Sequence, residues 1–295
     1  MSQMNWDREV DVLVVGTGNG GLTAAVCNWE MGTKDVLIIE KQDKVGGTSA
    51  TSGGGIWIPN SHYAKEAGAE DNPQDARAYL MNTLFGEDVP EEMIDIYLEK
   101  SPEMLKFLHD RTDVRYESLA EYPDYYTNME GARAGHRSLE PAPIMASELG
   151  ENWKNMTWTH FMMRMFNRIH FTQVEAHLLM VQLPGWKKLL ARLMWDYIRD
   201  IPWRLKTPIS RRLACGSAGV ARLYLSVLKR EIPLEFNTQM VELIAEGDTV
   251  LGAVIECNGQ RQRVRAAKGV IVASGGFEKN QALRERYLPA PTNTD

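Results

Sequence analysis

VDVLVVGTGNGG, residues 10–21, is the stretch that decides the fold. Val10, Val12, Leu13, Val14 and Val15 read as a buried strand, and the glycines follow it at once. Gly16 stands where a tight turn is needed, Gly18 where backbone must approach a pyrophosphate, and Gly21 where a following helix packs closely on the strand. Asn19 and Gly20 lie in the same turn, at the start of a helix expected near Gly21, whose free N–H groups face the phosphates. Val36 to Ile39 form the next strand, so Glu40 closes a βαβ unit with a carboxylate placed to accept hydrogen bonds from ribose hydroxyls. An anion there repels a 2′-phosphate and disfavours NADP. Glycines also build ordinary turns; the strand before, the helix after and the acid at the right distance together select an adenine dinucleotide.

The segment beyond Glu40 favours FAD over NAD. A plain NAD domain would continue into another simple strand and helix, whereas here Gly46-Gly47-Thr48-Ser49-Ala50-Thr51-Ser52-Gly53-Gly54-Gly55 intervenes. Such a segment can lay backbone N–H groups and small hydroxyls against a large, flat, anionic ligand without side-chain obstruction. The bland alternative is a flexible loop. Gly46, Gly47, Thr48, Ser49, Ser52, Gly53 and Gly54 therefore join Gly16, Gly18, Asn19, Gly20, Gly21 and Glu40 as candidate cofactor contacts.

The composition is that of a globular enzyme. With 295 residues, 44% hydrophobic and 24% charged, the chain can bury one large core or two smaller ones. A net charge of −6 gives no electrostatic reason to expect nucleic acid. Cys27, Cys215 and Cys257 form no CxxC pair and suit reduced thiols in a cytoplasm. No metal site is expected, and no apolar run reaches membrane-spanning length or resembles a targeting core.

Along its length the chain alternates dinucleotide-fold pieces with a helical insert, about residues 61–206. Helices are expected at Asp75 to Leu84 and Glu91 to Lys100, then a separate one capped by Ser101 with Pro102 in its first turn. Thr112 to Glu151 reads as irregular, and a loop this long is often functional. Helices resume at Thr172 to Val181 and Trp186 to Arg199. The second is amphipathic, with Trp186, Leu189, Leu190, Leu193, Met194 and Tyr197 on one face and Lys187, Lys188, Arg192 and Arg199 opposite. It packs on its own domain, or it presents a basic, tryptophan-edged surface to a membrane or another subunit. After Gly216-Ser217-Ala218-Gly219 and a helix through Leu228, strands are expected at Leu234 to Ile244 and Val250 to Glu256. The hairpin turn Asn258-Gly259 then leads to Gln262 to Arg265. Lys268 to Val272 reads as a buried strand running into Ala273-Ser274-Gly275-Gly276, again suited to close cofactor contact.

Four segments carry a family resemblance: GGTSATSGGGIWIPN (46–60), YPDYYTNMEGARAGHRSLEP (122–141), Pro202-Trp203-Arg204 and ASGGFEKN (273–280). Together the chain resembles the 3-ketosteroid Δ1-dehydrogenases, FAD enzymes of the wider fumarate reductase flavoprotein group. The glycine-rich pieces are shared across that group, whereas Trp57-Ile58-Pro59-Asn60 and the tyrosine loop are narrower. The resemblance implies an α/β, Rossmann-like FAD-binding domain with a parallel sheet, a β-meander and a helical insertion. The resemblance spans nearly the whole chain; the FAD-binding domain takes about residues 1–281, and 282–295 open a substrate-covering domain that is truncated. Ala273, Ser274 and Gly275, with Lys41 and Val241, complete the cofactor contacts that it implies.

The implied reaction removes hydrogens from C1 and C2 of a 3-ketosteroid A ring: a hydride goes from C1 to flavin N5 and a proton from C2 to a tyrosine. Tyr126 matches the family tyrosine that supports the proton-abstracting one, with Tyr122 and Tyr125 as neighbours in the same loop. His136 and Arg137 follow there and are set aside as loop residues, because matched family members can carry glycine at the position of His136. No His or Cys lies in Gly46 to Ser49, so noncovalent FAD is expected. Family members are considerably longer, and the missing C-terminal half is expected to hold the proton-abstracting tyrosine and the donors that polarise the C3 carbonyl. The partner expected is a hydrophobic small molecule, a 3-ketosteroid, with peripheral membrane contact as an additional possibility from the amphipathic helix. Two other functions stay open: a flavin-dependent reductase of activated alkenes, of fumarate or acrylate type, and an FAD-binding fragment without catalysis.

Overall fold

The structure is a computed structural model that describes residues 5–294. Strand β1 (Arg8–Val15), helix α1 (Asn19–Glu30) and strand β2 (Val36–Ile39) form a parallel βαβ unit. Leu13, Val14, Leu37, Ile38 and Ile39 are buried on both strand faces, as in a parallel sheet covered from both sides. A short helix, α2 (Gly47–Thr51), turns inside the second glycine cluster, which is therefore more than a loop. Strand β3 (Ile56–Trp57) leaves that cluster and leads into α3 (His62–Glu66), α4 (Pro73–Asn82) and α5 (Glu91–Arg111).

Helix α4 starts earlier than its apolar pattern suggested. Asn72 caps it, accepting from the Asp75 N–H at 2.6 Å, and Pro73 occupies the first turn, where a missing N–H costs nothing. Helix α5 corrects the expectation of two helices: it runs unbroken through Pro102. Ile94, Ser101, Leu105 and Leu108 are buried on both sides of the proline, so one packed stripe outweighs the local loss of a hydrogen bond.

The stretch expected to be irregular holds β4 (Tyr116–Ser118), β5 (Ser138–Pro141), β6 (Ile144–Met145) and a 3-10 segment, Ala146–Asn155. Strands β3, β5 and β4 make a small antiparallel sheet in that order. A hairpin of β7 (Arg164–Met165) and β8 (Ile169–His170) precedes α6 (Gln173–Met180), α7 (Trp186–Arg199) and α8 (Ile201–Arg204). Helix α7 packs through Leu189 and Leu193 on Ile169, which favours the packed reading of its apolar face. Strand β9 (Arg212–Leu213), paired with β6, leads into α9 (Cys215–Lys229). This helix is buried from Cys215 to Ala221 and packs against both α1 and α2.

Leu234 to Ile244, expected as one strand, is two: β10 (Leu234–Glu235) and β11 (Thr238–Glu246). Asn237, at φ 53°, turns the chain between them, so β10 joins the parallel edge beside β2 while β11 enters the antiparallel edge. Conversely, the hairpin return and the final strand are one element: β12 (Thr249–Cys257) pairs with the first half of β13 (Gln260–Val272). The remainder of β13 runs parallel to β1, with a bulge where Val10 pairs Ala266 and Val12 pairs Gly269. The main sheet is ordered β10-β2-β1-β13-β12-β11, and α10 (Gln281–Tyr287) follows it. The last part of β13 is not buried as expected: Val272 is 50% exposed.

Candidate functional site

The carboxyl ends of β1, β2 and β13 lie side by side, and the chain leaves β1 toward β2 through α1 while β13 occupies its other side. In open parallel sheets this is where ligands bind. Gly16 closes β1 at φ 103°, with its N–H on the Ile39 carbonyl at 2.8 Å. A Cβ there would sit 2.5 Å from the Ala273 carbonyl oxygen, and one at Gly21 would sit 2.0 Å from the Gly16 oxygen. These two glycines are required by the protein's own backbone. Gly18 is different: its Cβ would meet only the Ser49 hydroxyl, at 3.3 Å, so the fold leaves open the space that a phosphate needs.

The second glycine cluster closes on the first. The Asn19 N–H donates to the Ser49 hydroxyl at 3.1 Å, tying the N-terminus of α1 to α2. Gly46, at φ 112°, begins α2, and a Cβ on it would strike Ala50 at 2.6 Å. Gly54 and Gly216 let α9 press against this turn: a Cβ on Gly216 would lie 2.1 Å from the Ser49 carbonyl oxygen. The Gly53 carbonyl accepts from the Gln173 amide at 3.3 Å, and the Ser52 hydroxyl donates to the Ser49 carbonyl at 2.8 Å. Gly20, Gly47 and Thr48 are exposed on the same rim. Ala273 is tied to the Val15 carbonyl at 2.9 Å, and Ser274 and Gly275 continue from it, Gly275 at φ 82°.

Thr17, which the motif leaves unspecified, joins these parts. Its hydroxyl and N–H both donate to Glu40 Oε2, and the same hydroxyl accepts from the Gly46 N–H at 3.2 Å. Glu40 is buried and also accepts from the Gln42 N–H through Oε1 at 3.0 Å. A carboxylate offers about four acceptor positions, so three are taken and one, on Oε1, remains for a ribose hydroxyl. Asn19 Oδ1 is a buried acceptor without a partner among the described residues. An open Gly18, an unsatisfied Asn19 acceptor and the spare Glu40 lone pair fit a dinucleotide carrying hydroxyl donors and a pyrophosphate. Lys41 is exposed beside Glu40, and Val241 sits, 38% exposed, at the β11 bulge between Met240 and Glu242; among the described residues no side-chain hydrogen bond joins either to the glycine turns.

Tyr126 lies in a loop held to the strand that leaves the cradle. The Trp57 indole donates to Asp124 Oδ1 at 2.6 Å, and Arg137 donates to Asp124 Oδ2 at 2.8 Å and to Asp71 at 2.9 Å. The Tyr126 N–H donates to the Tyr79 hydroxyl at 3.2 Å, and its ring meets Phe85 edge-on at 4.9 Å. Its side chain is 45% exposed, and its hydroxyl makes no hydrogen bond among the described residues. Tyr125 is 82% exposed. His136 packs inside the loop against the Ser118 hydroxyl at 3.0 Å, a loop-packing role as expected. Arg137 is more than a loop residue. It is 2% exposed, with its guanidinium 5.7 Å from the Trp57 ring and 5.8 Å from the Tyr79 ring.

Burial would push Asp71 up, but the hydrogen bonds and charge of Arg137 outweigh it and hold the carboxyl below its ordinary value. A depressed folded-state value means that this pair stabilises the protein above about pH 4 and loses that contribution as pH falls through the depressed value. Replacing the cation, Arg137→Met, leaves buried Asp124 without a cation and Asp71 with only Arg133 at 3.5 Å, and should cost about 3–5 kcal/mol at pH 7. Urea unfolding should show that penalty shrinking toward pH 4, as the orphaned acids take up protons. A penalty that is constant with pH would show that the charges do not matter.

Comparison with known proteins places this geometry. Residues 11–295 match the family described as "FAD binding domain". The 3-oxosteroid 1-dehydrogenases of Comamonas testosteroni and Mycobacterium tuberculosis are 34% and 33% identical, over 97% and 98% of this chain and 50% and 51% of theirs. The solved 3-ketosteroid Δ1-dehydrogenase of Sterolibacterium denitrificans, in complex with 1,4-androstadiene-3,17-dione, superimposes with a TM-score of 0.92 at 37% identity. The match covers 97% of this chain and 51% of that one. The chain thus spans about half the length of the relatives it matches.

Proposed function

The chain belongs to the FAD-binding domain family, and from that premise we propose that it is the cofactor-binding half of a 3-ketosteroid Δ1-dehydrogenase. The observation that carries this reading is the close superposition on the solved steroid dehydrogenase over nearly the whole chain. FAD, when bound, supplies the hydride acceptor. Gly16, Gly18, Asn19, Gly20 and Gly21 hold its pyrophosphate, Glu40 and Lys41 its adenosine end, and Gly46 to Gly54, Val241 and Ala273 to Gly275 the remainder, noncovalently. Tyr126 presents a free hydroxyl to the tyrosine that removes the C2 proton, whose acidity comes from the enolate left behind.

In the full-length protein, Tyr126→Phe should lower kcat on a 3-ketosteroid by about 10²–10³-fold with little change in KM, because only a group assisting proton transfer is removed. Tyr125→Phe should leave kcat unchanged. A dye-coupled assay decides this, and the reverse pattern would move the role to Tyr125. The same protein should not reduce acrylate or fumarate; reduction of either without steroid oxidation would favour the alkene-reductase reading.

The proposal includes a C-terminal half that covers the apolar groups around the β13 end, where Val272, Phe277 and Tyr287 are exposed. It also places the protein in the cytoplasm, in keeping with free thiols at Cys27, Cys215 and Cys257. Among the described residues no helix is long and apolar enough to cross a membrane. Trp195, Ile198, Ile201 and Leu205 are exposed along α7 and α8 beside Lys187, Lys188 and Arg192, which supports peripheral contact with an anionic bilayer.

A further inference from the structure

Beneath α7 and α8 lies a cavity of about 560 Å³ that shares no residue with the glycine turns. Its volume is that of a small-molecule site. Its walls are largely apolar, with Ile169, Leu193, Tyr197 and Trp203 among the lining groups. Two features mark it as more than a packing gap.

The first is His170, which is 1% exposed and lines the cavity. The Ser210 hydroxyl donates its hydrogen to the Arg212 carbonyl at 2.9 Å, and accepts from the His170 N–H at 3.1 Å. With that hydrogen committed, the 3.2 Å contact between Ser210 Oγ and His170 Nδ1 requires the ring nitrogen to be the donor. Nε2 is then a bare acceptor, buried and without a partner among the described residues. Burial, together with the charges of Arg164 and Arg212, holds the imidazole down to about 3, so it stays neutral. A buried acceptor left unsatisfied is costly, and a ligand hydroxyl would satisfy it.

The second is charge. Arg199 pairs with Asp196, Arg211 with Asp200 and Arg212 with Glu175. Arg204 has no carboxylate partner among the described residues. Its guanidinium lies 5.4 Å from the Tyr197 ring, and its Nε is buried and unpaired, as is that of Arg211. Arg204 also donates through Nη2 to the Ile198 carbonyl, but its charge is left without a carboxylate at a cavity whose lining residues carry unsatisfied donors and one unsatisfied acceptor.

We propose that this cavity binds an apolar monoanion that also carries a hydroxyl group, its anionic end held by Arg204 and its hydroxyl donating to His170 Nε2. Calorimetric titration of the FAD-loaded protein with 12-hydroxydodecanoate, whose flexible chain can match the spacing of the two groups, tests it. Binding should weaken about tenfold for dodecanoate, which lacks the terminal hydroxyl, and about tenfold for methyl 12-hydroxydodecanoate, which lacks the charge. Arg204→Gln should weaken the acid and leave the ester unchanged, and Met145→Trp, which fills the cavity from its rim, should abolish binding of all three. Equal affinity for the three compounds, binding that survives Met145→Trp, or no binding at millimolar concentration would each overturn the proposal. The comparison of compounds on the unaltered protein stands even if a variant fails to fold.

Discussion

Residues 1–295, saturated with FAD, are expected to dehydrogenate a 3-ketosteroid at least about a thousandfold more slowly than the full-length protein. The proposed reaction needs a hydride acceptor, a base and carbonyl-polarising donors converging on one ring, and misplacement by an ångström costs orders of magnitude. This half offers the cofactor cradle and Tyr126, whose hydroxyl has nothing to act on among the described residues. The neighbouring tyrosines cannot fill the gap easily, since Tyr125 is 82% exposed and so lacks the water-free surroundings that make a proton acceptor effective. Adding a separately expressed C-terminal half of the same protein should restore turnover in a concentration-dependent way. Robust turnover by residues 1–295 alone would mean that another base, with Tyr122 or Tyr125 first in line, completes the site.

Gly18→Val should reduce FAD affinity by at least about a hundredfold while the fold survives. Gly18 has φ −67° and ψ 179°, which valine adopts without strain, and its new Cβ would meet only the Ser49 hydroxyl, at 3.3 Å. The cost to α1 is about 1 kcal/mol for a poorer N-cap. The branched side chain instead fills the phosphate space, and losing two charge-assisted hydrogen bonds accounts for the expected magnitude. Gly16→Ala and Gly21→Ala should behave differently, because their Cβ atoms collide with backbone oxygens at 2.5 and 2.0 Å, so they should lower stability whether or not FAD is present. Circular dichroism and flavin fluorescence titration separate the two kinds of loss. An unchanged flavin affinity in Gly18→Val would remove the pyrophosphate from this turn.

The glycine turns were legible because glycine is the residue that a close backbone approach demands, as at Gly16 and Gly21, and its spacing survives in sequence. Thr17 was not, since nothing in a hydroxyl between two glycines says that it bridges Glu40 and the Gly46 N–H. Asp71 and Asp124 escaped for a similar reason: they are ordinary acids until Arg137, from the turn before β5, is folded between them. Local signals also misplaced boundaries that tertiary packing decides. Pro102 looks like a helix start but sits inside α5, and Asn237 divides a run of strand formers because its two halves serve opposite edges of one sheet. The resemblance joined the Trp57 motif to the tyrosine loop by sequence; the Trp57–Asp124 hydrogen bond joins them physically.

A flavin absorbance titration of the purified chain, followed by acid precipitation, bears most directly on whether residues 1–295 form a half that binds FAD noncovalently. Saturation at one FAD per chain, with all the flavin released to the supernatant, is the expected result. A chain that retains no flavin at saturating FAD, or a precipitate that stays yellow, would contradict it.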